Sequence, residues 1–494
     1  MNTTIISVVS FSIALLVGIT CFLVIIRSFV SHQRLSFNPI SFLLAKGSLY
    51  RRSIVSLLLS SSFGVNALLY AAWLGYSVGA WGLAVQAAWG LSYLLLSPYS
   101  ARIHSVNSLH ELLGNRFDRA TKLLAAICTL IGFVYLMGWE LEIGSSSIYS
   151  ILSFDNHVAE EAKSTTNTLM VGVVLGTVFY TLWGGMRGNA IVDQLLNLIK
   201  VIIITLFTLL LINRFIHIDG SNFLTSMFPS VDTMKKNLGL FGLITNILFN
   251  LAWQFVDNSS WQSVIAGAEN LQTKSTKNLQ ISGFVIFLTI GLLGTLFGIS
   301  LANTANITPD NILTQAVVLL PQHQTFMTVA MVIMIAACMM SLLDVLFLSS
   351  TFTLTMDIMP SHPKTTAAST DINNQKILRR VRVSLLVIAL TATWGVNFIF
   401  QITGSNLFDF VYIVIITQLA LFGPVIIALT TDRIATNPMW ICIAIALTVG
   451  FGAIAAGTIF QNKLLLDGAG TLTLFTSMIL ALLNIVDPKK QTVV

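Results

Sequence analysis

Ser60-Ser61-Ser62-Phe63-Gly64-Val65-Asn66 lies in the middle of an apolar run that extends from about residue 53 to 76. Hydroxyls, a glycine and an amide at the centre of a bilayer-length segment are costly in an intact helix, because lipid offers polar groups no partner. A second stretch, Asp257-Asn258-Ser259-Ser260, interrupts another such run five segments later. Each interruption begins a group of five apolar segments, 53–212 and 238–430. Either one alone is explained as well by small residues that let helices pack closely. Paired breaks at corresponding positions of two halves instead indicate an inverted repeat, with unwound backbone at mid-membrane free to hold ions or solute.

The rest of the chain agrees with a membrane setting. Of its 494 residues 55% are hydrophobic and 9% charged, and the mean hydropathy is +0.84; soluble domains carry about 25% charged residues. Thirteen segments are apolar enough to cross, near 5–26, 53–76, 79–98, 123–153, 168–184, 190–212, 238–267, 280–302, 325–357, 383–402, 407–430, 437–459 and 468–486. Each is of the length needed for a hydrocarbon core of about 30 Å. Backbone satisfaction makes them helices, and a membrane barrel would show short alternating segments instead. The fold class is therefore an all-α polytopic membrane protein, about 13 transmembrane helices with a 5+5 inverted-repeat core. Residues 1–45 form an extra N-terminal helix and inner loop, 46–213 the first repeat, 214–237 an outer connection, 238–433 the second repeat, and 434–494 two C-terminal helices with a short tail.

The formal net charge of +6 is topological rather than a nucleic-acid footprint. Twenty Lys and Arg fall in loops on one side and five on the other, which places the N-terminus outside and the C-terminus in the cytoplasm. The partner this implies is the lipid bilayer, and the compact loops suggest a bacterial inner (plasma) membrane. The first span has no basic residues before it and reads as an uncleaved helix. Cys21, Cys128, Cys338 and Cys442 all lie in apolar runs, without disulfide or metal spacing. The seven histidines lie in loops or at span ends, and no hydrolase, zinc or phosphate-loop motif occurs, so no enzyme, catalytic residue or cofactor is expected.

Polar residues inside the spans carry the functional signal. Glu140, Glu142, Asp193, Asp257 and Asp344 are intramembrane acids, and Lys200 is the comparable base. A charge at the bilayer centre costs about 2.5–3.5 kcal/mol even on insertion scales, so such groups face a cavity or a partner. An acid-rich interior points to a cation, a proton or a positively charged solute group. Asp193 and Lys200 are seven residues apart on one helix face, so pairing between them, or snorkelling by Lys200, is the structural alternative. Glu140 and Glu142 do not share a helix face. Trp73, Trp139, Trp253 and Trp261 lie near the breaks, where they either pack or line a cavity.

Five ordered landmarks resemble the sodium:solute symporter family, spanning roughly residues 45 to 435. Ser108-Leu109-His110-Glu111-Leu112-Leu113-Gly114-Asn115-Arg116-Phe117 is similar to its inner loop, and Tyr180 through Gly185 followed by Asp193 to its Gly-Gly-x(7)-Asp signature. Trp261-Gln262 with Ala266, Ser341-x-x-Asp344, and Ser349-Ser350 with Thr355-Met356-Asp357-Ile358 resemble later segments. The resemblance implies a sodium site between the broken second span and the ninth, from carbonyls near Leu59 and Ser62, the Cys338 carbonyl and the Ser341 hydroxyl, with Asp193 close to the ion path. Leu342 stands where the family offers a second hydroxyl, and Asp344 on the Ser341 face can replace that oxygen or carry a proton. The resemblance further implies a small-molecule substrate near Asn66, Trp73, Glu140, Trp253, Asp257 and Gln418.

The function expected from these signals is secondary active transport: symport of a small polar solute, an amino acid or amine-like zwitterion, with Na+ (or H+) as the coupling ion. A proton-coupled or uncoupled carrier of the same fold stays open, as does a non-transporting solute sensor.

Overall fold

The structure is a computed structural model that describes residues 3–30, 39–153, 159–219, 223–267, 272–302, 304, 307–309, 311–321, 324–359, 370–403 and 409–486. The tail expected after Val486 and residues 360–369 lie outside the described residues. Eight helices among the described residues are long and apolar enough to cross a membrane singly, and two bent pairs qualify jointly. Each of the thirteen expected spans overlaps helix among the described residues. The longest helix, Ala159–Asp219, covers both the fifth and sixth, because its backbone turns at Gly185 (φ 55, ψ −156).

Both anticipated interruptions are breaks. The second span is two helices, Arg51–Ser62 and Val65–Val78, bent by 67°. Phe63 (φ −105, ψ 65) and Gly64 (φ −87, ψ 176) leave the helical region between them. The seventh span is Leu240–Val256 and Asn258–Ile265, parted at Asp257 (φ −77, ψ 97). The eighth, ninth and tenth spans each include a π-helical stretch, Phe287–Gly294, Thr353–Ile358 and Thr391–Gly395.

The ninth span, Gln324–Phe352, is the axis of the molecule. From Ala336 to Leu348 every residue is at most 2% exposed, and the helix packs on the first, second, fourth and tenth spans and on the long helix that covers the fifth and sixth. Large apolar side chains point outward on peripheral helices, as with Phe11, Leu175 and Ile402, which is the surface a bilayer covers. The broken spans are also laced together at one end. Gly47 N–H donates to Ile265 O (3.3 Å), and Ser48 and Leu49 N–H both donate to Ala266 O (3.1 and 3.0 Å), forming a parallel bridge of Leu49 with Gly267. The two C-terminal helices, Met439–Ile459 and Lys463–Leu483, pack on each other, and Ile434–Ala435 pairs antiparallel with Ile485–Val486 to close that unit.

Candidate functional site

Opening a helix at mid-membrane exposes amides on one side of the break and carbonyls on the other, and each must find a partner. The first break is answered by two distant spans. Glu140, fully buried in the fourth span, accepts from Val65 N–H (2.5 Å, Oε1) and Asn66 N–H (3.1 Å, Oε2), so its carboxylate caps the helix that Gly64 cannot cap itself. A carboxylate there also sits at the positive end of the helix dipole. On the other side Lys200 of the sixth span donates to Phe63 O (3.1 Å) and Ser341 Oγ (2.7 Å), with its ammonium 4.8 Å from the Phe63 ring centroid. Ser341 passes the bond on to Cys338 O (3.1 Å).

The second break is answered locally. Asp257 caps the Asn258–Ile265 helix, accepting from Ser259 N–H (3.0 Å), Ser259 Oγ and Ser260 Oγ (both 2.6 Å). The Trp261 indole takes the freed Phe255 carbonyl at 3.2 Å. Tyr93 of the third span joins the two breaks: its buried hydroxyl lies 2.9 Å from Ser62 Oγ and 3.4 Å from Ser260 Oγ.

Beside the first break lies a cluster of buried groups with open valences. Asp344 accepts from Tyr180 OH (2.9 Å) through Oδ2, while its Oδ1 and both oxygens of Asp193 have no hydrogen-bond partner. The Asp193–Lys200 pair weighed from spacing is not formed, since the ammonium points at Phe63 and Ser341 instead. Lys200 does not snorkel either, being 0% exposed.

A cavity of about 440 Å³ reaches from these breaks to one face of the protein. Ser62, Asn66 and Leu342 form its floor, and Asn237, Lys463 and Asp467 stand at its mouth. Its walls are aromatic, with Trp73, Trp89, Trp139 and Trp253 among them. The indole N–H groups of Trp89 and Trp139 and the hydroxyls of Thr245 and Thr471 have no partner in those walls. Of the residues expected beside a solute, Asn66, Trp73 and Trp253 line the cavity. Glu140, Asp257 and Gln418 are not among its lining residues: the first two are committed to the breaks, and Gln418 is buried with its amide 3.5 Å from Cys128 O. Of the residues expected at an ion, Leu59 O accepts from Phe63 N–H, Ser62 bonds Tyr93, and Ser341 and Cys338 form the chain below Lys200. Trp261 is core, fully buried.

The opposite face is shut. Asp357, at the end of the ninth span, accepts from Ser108 Oγ (3.1 Å) and pairs with His110 Nδ1 (2.9 Å) and Lys122 Nζ (3.0 Å). The far side of the His110 ring meets Thr129 Oγ1 at 2.9 Å. Arg102 holds Leu429 O (2.7 Å) and Asp432 (3.4 Å), Arg116 reaches the Arg433 carbonyl, and Asn258 accepts from Leu109 N–H. Sequence reasoning missed His110, Tyr93 and the partner of Lys200. For His110 the signal was present, since two of the landmarks, Ser108 to Phe117 and Thr355 to Ile358, meet here.

No protein-family model matches the chain, and no curated protein matches it by sequence. Solved structures do. A Na+-coupled sialic acid symporter in a substrate-bound outward-open state is similar over 98% of this chain and 98% of its own, with a TM-score of 0.73 at 13% identity. Mhp1, a nucleobase-cation-symport-1 family transporter in a closed conformation with bromovinylhydantoin bound, covers 91% of this chain and 94% of its own, with a TM-score of 0.55 at 14% identity. MhsT in complex with L-phenylalanine covers 89% and 97%, with a TM-score of 0.50 at 12% identity. At these identities the likeness is one of fold.

Proposed function

We propose that the protein is a secondary active transporter that imports a small polar solute by cation-coupled alternating access. The observation that carries this reading is the cavity: it is open at one face, sealed at the other by the Asp357 and Arg102 contacts, and floored by the broken second span and the ninth span. An enzyme has no use for such an asymmetric seal, and a transporter requires it. The charge distribution of the loops sets the mouth outside, so the conformation is the one that receives solute from the exterior.

The walls favour the solute class. Four tryptophans supply flat apolar faces, and the unpartnered indole and hydroxyl donors call for hydrogen-bond acceptors. A small molecule with carboxylate or hydroxyl oxygens and one apolar face fits, an amino acid or other zwitterion among them. Because Glu140 and Asp257 spend their oxygens on backbone and serine donors, they contribute little as direct partners for a solute amine. For the coupling ion, the unpartnered oxygens of Asp193 and Asp344 offer hard acceptors to a sodium ion or a proton, and sodium is the cation of the sialic acid symporter to which the chain is similar.

The test is uptake into proteoliposomes of a labelled panel of amino acids, amines and acidic sugars under separately imposed sodium and proton gradients. Accumulation of any of them above equilibrium establishes coupled transport. Solute that equilibrates without accumulation overturns the coupling, and retention of bound solute without entry makes the protein a sensor.

A further inference from the structure

The carbonyl end of a broken helix at mid-membrane is a cation site by its chemistry: it carries the negative end of a helix dipole and a main-chain oxygen with no helical partner. In this chain that place is taken. The Lys200 ammonium lies between Phe63 O and Ser341 Oγ, the two sides that an ion bridging the second and ninth spans would have to ligate, and it faces the Phe63 ring as a third, cation–π contact. Ser341 presents its lone pair to the ammonium and its proton to Cys338 O, so the hydroxyl and that carbonyl are both committed. We propose that the Lys200 ammonium is the resident cation of this site, in place of an ion from solution.

This rests on the transport reading above and specifies which cation fills one of its sites. The groups that act on the ammonium are Asp193 on its own helix, Asp344 and the Cys338 thiol on the ninth span, and Glu140 on the fourth. The second span contributes only the uncharged Phe63 carbonyl and ring. Among the described residues the acids form no ion pair with Lys200, whose ammonium donates to Phe63 O and Ser341 Oγ instead.

The deciding experiment is equilibrium binding of radiolabelled sodium to the purified full chain, with wild type, Ser341→Ala, Lys200→Ala and Lys200→Ala/Ser341→Ala compared, each checked for folding by thermal melting. Wild type and Ser341→Ala are expected to bind sodium alike. Lys200→Ala is expected to gain a saturable component that the second substitution removes. Loss of wild-type sodium binding on Ser341→Ala overturns the proposal, and so does a folded Lys200→Ala that gains nothing. If Lys200→Ala does not fold, the wild-type and Ser341→Ala pair still decides. A second arm measures panel uptake by wild type: if no solute moves, the transport reading fails while the sodium arm still rules on Lys200.

Discussion

Glu140 is a fully buried acid whose two oxygens receive the amides that the break in the second span leaves open. Its work is therefore architectural first. Replacing it with alanine strands two buried N–H groups, at about 1–3 kcal/mol each, so Glu140→Ala should melt well below wild type in detergent, with Glu140→Gln, which keeps one acceptor, between them. An alanine variant as stable as wild type would show that the cap is dispensable. Sequence reading finds Glu140 at once, since an acid inside an apolar run is conspicuous, but assigns it to the solute. What it lacks is the meeting of residues 65 and 140, 75 positions apart; no periodicity encodes that. Lys200 is the same lesson: its spacing from Asp193 is legible, and its true partners on two other spans are not. At the cavity wall, the unpartnered Trp139 indole makes a sharper forecast. Trp139→Phe keeps the ring and removes one donor, so the apparent affinity for the transported solute should weaken by about fivefold, the value of roughly 1 kcal/mol for one hydrogen bond; unchanged affinity would place the solute elsewhere.

At the scale of elements, the thirteen segments and both breaks are readable because each follows from a local rule: bilayer length, and polar clusters where lipid allows none. The π-helical stretches of the eighth to tenth spans are not, since Phe287–Gly294 is as apolar as any helix around it and its register is imposed by neighbours. The turn between the fifth and sixth spans is legible as a glycine pair, and the structure gives the reason. Gly185 has φ 55, and a Cβ there would press on the Phe42 carbonyl and come within 2.8 Å of the Phe42 ring. Gly185→Ala should then cost roughly 1–3 kcal/mol through backbone strain and overpacking together, read as a lower melting temperature and reduced uptake. Gly184→Ala, where the backbone is helical, adds only the crowding of a Cβ within 2.8 Å of Val24 Cγ1 and no backbone strain, and should be milder. Equal effects at the two positions would refute the turn as the cause.

For the molecule as a whole, sequence charge counts give an orientation but no conformation. Which face is open depends on contacts such as Asp357 with His110 and Lys122, drawn from segments about 250 residues apart that become neighbours only in the fold. Removing them should loosen the sealed face. A cysteine placed at Ser61, on the cavity wall, should react with a membrane-impermeant thiol reagent added outside, and adding Asp357→Ala should slow that labelling as the population shifts toward the inward-open side. Labelling that does not change would mean that the seal rests on the Arg102 and Arg116 contacts instead.

The backbone bridge between Leu49 and Gly267 bears on leakage. Three amide bonds clamp the start of the second span to the end of the seventh, and Tyr93 pins them again at their breaks. Two bodies pinned at two heights behave as one rocker: a stroke that swings the outer half away from the cavity carries the inner half with it. The pair thereby acts as an interlock, in which the two doors share a single shaft. For both doors to stand open at once the shaft itself must part, and its amide bonds lie away from the cavity, where solute does not reach them.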